Sequence, residues 1–283
     1  MPTSTIAVLA IYIGFGLLEL WRSNLFTKGE QTRDDGIVEG VSMTMLLAVT
    51  QPGIVFLSAA IMAAIAPGLE GALTNLNVFA AIALFLVLED MTQYWWHRAS
   101  HTFPWLYNLH RAHHNAKYMS VRLVYRNNII YYMMMPGLWT AGALLYMGLG
   151  WVYAGYLVVK MAVIIGAHSD VAWDKPLYRI KWLSPVMWVV ERTISTPSTH
   201  HAHHGRHAND PATHYKGNYG NLLFFWDVLF GTAKITRSYP ESYGVENLAP
   251  ATLGQQLLWP IFPENKEETI ASPVGEGAAQ EAA

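Results

Sequence analysis

Long apolar runs, with polar segments rich in histidine flanking the later ones, set the plan of this chain. The runs lie near 6–21, 37–66, 75–96, 129–149 and 151–166, and their length and low charge predict about four to five membrane-spanning helices. Pro52 and Gly53 are expected to kink or break the second run. The last two runs meet around Gly148 and Gly150 as a helical hairpin, and Lys160 in the shorter second arm leaves a partial or re-entrant span open. The first run ends at Arg22 and has neither a basic leading segment nor an A-x-A site, so it reads as a retained transmembrane helix and not a removed signal.

Composition points the same way, because 283 residues with 52% hydrophobic and only 13% charged side chains are too apolar for an ordinary soluble domain of this size. A net charge of −2 with scattered Lys and Arg offers no footprint for nucleic acid. The chain has no cysteine, which excludes disulfides, iron–sulfur clusters and thiol nucleophiles and leaves nitrogen and oxygen to hold any metal. Arg22, Lys28 and Arg33 follow the first run, and no Lys or Arg occurs between Asp34 and His97. Then Arg98, Arg111, Lys117, Arg122 and Arg126 arrive together. By the positive-inside rule the N-terminus is outside and the histidine-bearing segments are cytoplasmic. Residues 1–263 read as one integral-membrane domain, and 264–283, rich in Glu, Ala and Gly, as a disordered tail.

The histidines carry the chemistry. His97 and His101 form H-x-x-x-H, and His110, His113 and His114 form H-x-x-H-H, as do His200, His203 and His204. On a helix, positions i, i+3 and i+4 fall within an arc of about 100°, so each box aims its imidazoles at one point. A first-row metal takes roughly four to six donors, so eight box histidines are too many for one ion and suit two. A lone histidine is more often a surface or hydrogen-bonded core residue; three boxes without metal would leave many buried imidazoles short of partners. A metal transporter would place such ligands inside its spans, whereas these boxes lie at span ends.

Three motif regions together resemble the integral-membrane fatty acid hydroxylase and sterol desaturase superfamily. They are Asp90-x-x-x-Tyr94-Trp95-Trp96-His97-Arg98-x-x-His101 with His110-Arg111-Ala112-His113-His114, then Thr196 to Arg206, and Asn218-Tyr219-Gly220 leading to Trp226-Asp227 and Gly231-Thr232. The third box is most similar to the alkylglycerol monooxygenase branch. The resemblance implies an all-α fold, a transmembrane helical base under a cytoplasmic histidine-rich cap, with two Fe2+ ions held by His97, His101, His110, His113, His114, His200, His203 and His204. His168, in an Ala-His-Ser setting similar to a further family histidine, is the ninth candidate. The implied reaction is O2-dependent hydroxylation of an unactivated C–H bond of a membrane lipid. A desaturase of the same fold and a non-catalytic metal protein are the alternatives. Electrons would come from a separate carrier protein or a reductant such as a pterin.

Around these ligands, Asp90 shares a helical stripe with Tyr94, His97 and His101 and is expected to orient a ligating imidazole through its second nitrogen. Glu89, about 100° round the helix, is expected to pair with an arginine of the cap. Tyr219 and Asp227 are expected to support the site by hydrogen bonds. His201 and His207 are open between ligand and ordinary polar residue, and His214 reads as a surface residue. The run Tyr131 to Pro136 is read chiefly as packing around a proline kink, with a lipid tunnel as the alternative. Leu253 to Phe262 is weakly patterned for a membrane surface.

Overall fold

The computed structural model describes residues 3–22, 31–246 and 251–262, and the expected tail lies outside them. Among these residues the protein is all-helical. In order come α1 (Thr3–Arg22), α2 (Arg33–Met45), α3 (Gln51–Ile65), α4 (Val78–Phe85), α5 (Met91–Thr102), α6 (Pro104–His114), α7 (Ile129–Met134) and α8 (Pro136–Leu144). There follow α9 (Gly150–His168), α10 (Asp174–Leu177), α11 (Ser184–Thr193), α12 (Pro197–His203), α13 (Phe225–Phe230) and α14 (Leu253–Leu258).

Among the described residues, four helical stretches are long and apolar enough to cross a membrane: Thr3–Arg22, Arg33–Ile65, Val78–Thr102 and Pro136–His168. Their outward faces carry the large apolar side chains, as on α1 with Ile13 and Leu17 and on α3 with Phe56 and Ile65. A soluble helix buries those residues; a helix in lipid has no reason to. The protein is a multi-pass membrane protein.

Proline and glycine act differently from place to place. Pro52 does not break its run. It sits in the first turn of α3, after a π-helical turn over Leu46–Thr50 that keeps α2 and α3 continuous. Gly148 does interrupt its run: with φ of 101° it leaves the helical region between α8 and α9, as a residue without Cβ can. Beyond it α9 runs 19 residues to His168, long enough for a full span. Lys160 is buried inside it.

Buried polar anchors join the membrane helices to the cap. Glu19 of α1 accepts hydrogen bonds from the Ser120 hydroxyl at 2.7 Å and from the backbone N–H groups of Val121 and Asp170, each at 3.0 Å. It thereby ties together the loops that follow His114 and His168. Arg126, almost wholly buried, pairs with Asp35 of α2 at 2.7 Å and donates to the Ala112 carbonyl at 2.7 Å and to Gln256 of α14 at 2.9 Å. One guanidinium thus fixes α6, α2 and α14 to one another, using the fork of donors that arginine alone provides. α14 is docked on the cap by Gln256, and only the far end of its segment, Ile261 and Phe262, exposes apolar side chains.

Candidate metal centre

Nine histidines collect where α5, α6, α9 and α12 meet. His97, His101, His110, His114 and His203 form one group, and His113, His168, His200 and His204 form a second; within each group one nitrogen per residue lies within 4.8 Å of all the others. All nine are the residues singled out from the sequence. The two groups adjoin, for the rings of His114 and His204 stack with centroids 4.4 Å apart.

The boxes do not each aim at one point, as their spacing had led us to expect. Box two sends His110 and His114 to the first group and His113 to the second, while box three sends His200 and His204 to the second and His203 to the first. The helix explains the split. Relative to residue i, position i+4 lies about 40° to one side and i+3 about 60° to the other. An arc of that width straddles two neighbouring points.

Backbone carbonyls fix the orientation of four of the nine rings. Nδ1–H of His97 donates to the Tyr219 carbonyl at 2.7 Å, that of His203 to Gly217 at 2.7 Å, that of His113 to Leu123 at 3.0 Å and that of His168 to Ile164 at 2.8 Å. His110 Nδ1 meets Asn127 Oδ1 at 2.8 Å, and the Asn127 amide in turn donates to the Tyr132 hydroxyl at 3.1 Å. A carbonyl can only accept, so in these rings the hydrogen sits on Nδ1 and Nε2 presents a lone pair. Yet Nε2 of His203 is 3.0 Å from Nε2 of His97, and Nε2 of His168 is 3.3 Å from Nε2 of His113. Two lone pairs face each other in both groups. Only a cation between them makes that arrangement favourable.

A proton is a poor candidate for that cation. Loss of water on burial holds His110, His113, His114, His200, His203 and His204 well below the usual imidazole pKa, with neighbouring imidazoles pushing the same way. The donor set instead fits two metal ions, one with five and one with four imidazole nitrogens.

Local structure explains why each element arrives in place. α12 starts at Thr196 with a reciprocal capping box to Thr199 and Pro197 in its first turn, and Asp174 accepts the Ser198 N–H at 3.0 Å. The closing motif supports His97 from behind. Asp227 accepts from the backbone N–H of Tyr219 at 2.8 Å and of Gly220 at 2.6 Å, and so clamps the peptide whose carbonyl orients His97. A Cβ on Gly220 would lie 2.6 Å from the Leu223 carbonyl, so no side chain fits there. Asn218, at φ of 57°, turns the chain and donates to the Thr199 and Lys234 carbonyls at 2.9 and 3.0 Å.

The expectations for Asp90 and Glu89 need correction, and the open readings of His201 and His207 are resolved. Asp90 does not touch an imidazole: its Oδ2 accepts from Trp226 Nε1 at 2.9 Å and Leu223 N–H at 3.2 Å, because the polar partners of α5 on that side come from the closing segment. Glu89 pairs with Lys160 of α9, not with an arginine of the cap, since a π-helical turn over Leu86–Asp90 turns it toward the membrane interior. His201 spends both nitrogens, Nε2–H on the Ser169 carbonyl at 3.0 Å and Nδ1 on the Tyr243 hydroxyl at 2.9 Å, and so lies outside both groups. His207 pairs with Glu246 at the surface, and His214 bonds the Thr232 carbonyl at 3.2 Å.

Beneath the histidines lies a cavity of about 120 Å³. His97, His110, His113 and His168 line one part of it, Tyr131, Tyr132, Met135 and Ile164 line apolar and aromatic walls, and Glu89, Gln93, Tyr156 and Lys160 line another part. The run beginning at Tyr131 therefore borders this space, and Tyr131 also stacks on His110 with centroids 4.9 Å apart. Sequence reading missed Asn127, Gln93 and the pairing of Lys160 with Glu89. The polar triplet Arg126-Asn127-Asn128 ahead of an apolar helix was the available signal for the first.

Comparisons with known proteins fall on the same part of the chain. The fatty acid hydroxylase family model matches residues 82–232, just over half of the chain and a range that holds both histidine groups and the closing motif. Alkylglycerol monooxygenase of Danio rerio is 29% identical over 143 residues, covering 50% of this chain and 28% of that protein. The alkylglycerol monooxygenases of Xenopus tropicalis and Homo sapiens are each 26% identical, again over 50% of this chain and 28% of theirs. The chain thus matches less than a third of the length of these relatives. No solved structure matches it. With the boxes, their spacing and the closing motif all inside the matched range, this chain belongs to the fatty acid hydroxylase family.

Proposed function

We propose that this protein is an O2-dependent lipid hydroxylase in which the two histidine groups hold a pair of iron ions. The observation that carries the reading is the facing of Nε2 lone pairs across 3.0 and 3.3 Å in rings whose Nδ1–H groups are already donated to carbonyls. His97, His101, His110, His114 and His203 would hold one ion and His113, His168, His200 and His204 the other. Imidazole suits zinc, copper and nickel as well as iron, and iron is the choice that the resemblance to the hydroxylase family implies. When bound, the iron pair supplies activation of O2 and removal of a hydrogen atom from an unactivated C–H bond.

The chain's own residues do the rest. Tyr219, Gly217, Leu123 and Ile164 hold imidazoles in one tautomer through their carbonyls, which fixes where a reacting carbon must lie. The aromatic and aliphatic walls around Tyr131 and Ile164 receive the alkyl part of a lipid and keep water from the reacting carbon. Hydroxylation turns C–H and O2 into C–OH and water and consumes two electrons and two protons, which a separate electron carrier or soluble reductant supplies. Following the charge pattern, the histidine layer faces the cytoplasm, where such a donor has access.

Purified protein should contain two iron equivalents, and a lipid of the expressing cells should gain one oxygen in air. The His203→Ala variant should lose both properties. Loss of two hydrogens by the lipid instead would make the enzyme a desaturase, and full metal retention by His203→Ala and His113→Ala would overturn the ligand assignment.

A further inference from the structure

An ion pair lies inside the membrane-spanning part of the cavity, and nothing in the reaction proposed above uses it. Lys160 Nζ donates to Glu89 and to Gln93, and the Tyr156 hydroxyl donates to the other Glu89 oxygen. Charges at this depth are costly unless paired, and such residues mark binding sites or pathways far more often than packing. Their placement is regular. Glu89 precedes His97 by eight residues on one helical stretch, and Lys160 precedes His168 by eight on another, so both residues are attached about two helical turns, roughly 12 Å of backbone rise, from the histidine layer.

We propose that Glu89, Gln93, Tyr156 and Lys160 form a binding site for an uncharged oxygen group of the lipid substrate, a hydroxyl, ether or ester oxygen, while a carbon of the same molecule lies at the histidines. The proposal rests on the hydroxylase reading. Three observations carry it. The cluster and four of the histidines line one continuous cavity, so a single ligand reaches both. The walls between are mostly apolar and aromatic, which suits an alkyl or ring segment. The site has no positive charge to spare, because Glu89 balances Lys160 and the buried Asp90 beside it brings a further carboxylate.

The lack of a free positive charge decides the chemical class. A carboxylate or phosphate entering here would add an uncompensated negative charge within the bilayer, whereas a hydroxyl or ether adds none. The valences fit an acceptor. An ammonium has three N–H bonds, of which Glu89 and Gln93 take two, and Gln93, whose oxygen faces Lys160, keeps its amide N–H groups for a ligand. A plain alkane, by contrast, would leave those donors without a partner.

The test is binding to the metal-loaded, full-length protein in lipid nanodiscs under argon, where turnover cannot intervene. A tritiated 1-O-alkylglycerol, uncharged and bearing ether and hydroxyl oxygens, is the probe; its unlabelled form, the alkane of equal length and the matching fatty acid anion compete. We expect the unlabelled alkylglycerol to displace the probe at concentrations at least tenfold lower than either competitor. That advantage should shrink at least tenfold in Gln93→Leu, which keeps the ion pair, and in the charge-neutral double variant Glu89→Gln/Lys160→Met, with iron content unchanged in both. No specific retention of the probe, equal competition by the alkane or fatty acid, or an unchanged advantage in both variants would overturn the proposal. Selective binding without oxygen gain by any lipid in air would leave this site standing and sink the hydroxylase reading; oxygen gain without selective binding would do the reverse.

Discussion

The histidine layer and the charged layer two turns below it are held in opposite ways. Four of the rings are oriented by backbone carbonyls, on Tyr219, Gly217, Leu123 and Ile164, so their direction follows from the course of the chain. The lower layer is tied together by side chains alone: Glu89 to Lys160 and Tyr156, and Lys160 to Gln93. A backbone carbonyl survives any substitution of its own residue, whereas a side-chain partner does not. The upper layer is thus built to keep one geometry through sequence change and the lower one to change with it, the division expected if the first fixes the reaction and the second the substrate.

The sharpest way to break this contrast is to remove a donor from each histidine group. His203→Ala takes one nitrogen from the first group and His204→Ala one from the second. Each should lower the iron content below two equivalents and cut lipid oxygenation by more than the roughly 10–100-fold typical of losing a group that only orients a ligand. Elemental analysis and lipid mass spectrometry read both effects. Equal metal content in both variants and the parent would show that the two groups are not two sites.

In the lower layer the sign of the effect should depend on what is left behind. Lys160→Met alone leaves the Glu89 carboxylate buried without its counter-charge, at a cost of about 3–5 kcal/mol, while Glu89→Gln/Lys160→Met leaves no charge and should lie close to the parent protein. Unfolding in mixed micelles separates the two cases. A double variant as unstable as the single one would mean that the pair itself holds the helices together.

Asp227→Asn tests whether orientation from behind reaches the upper layer. Its carboxylate grips the Tyr219 and Gly220 N–H groups, and the Tyr219 carbonyl orients His97. An amide can keep one of these contacts but not both, because one of its two ends is a donor. Iron affinity should fall about 10–100-fold while the fold is kept. Competition with a graded chelator measures it, and unchanged affinity would reduce Asp227 to a loop anchor.

The same contrast explains what could be read from the chain. The boxes were legible because a helix converts i, i+3 and i+4 spacing into a shared direction, and the nine histidines named from sequence are the nine brought together. Their division between two groups was not, because the relevant arc lies on the border between one target and two, and only the way the second and third boxes meet, His113 against His204 and His114 against His203, decides it. Pro52 misled because a π-helical turn before it absorbs what a regular helix could not. Lys160 read as a flaw in a span because its partner is 71 residues away in sequence. Asp90 sits on the stripe of His97 and His101 and still serves another element, since spacing gives direction but not what waits there.

The smallest effect belongs to His201, a histidine of the third box that joins neither group. Its Nε2–H reaches the Ser169 carbonyl and its Nδ1 lies 2.9 Å from the Tyr243 hydroxyl, in a site closed to water. Burial pushes its pKa down to about 3. A folded-state pKa below the unfolded value of about 6.5 means that the unfolded chain takes up the proton first as pH falls. The contribution of His201 is therefore complete above about pH 6.5 and declines by about 1.4 kcal/mol per pH unit below it, toward the folded-state value. His201→Gln, which does not titrate, should bind iron like the parent at neutral pH and lose less stability than the parent between pH 6 and pH 5, by about 1 kcal/mol. Parallel acid limbs for the two proteins would show that His201 is hydrated or protonated in the folded state. Loss of iron at neutral pH would place it among the ligands after all.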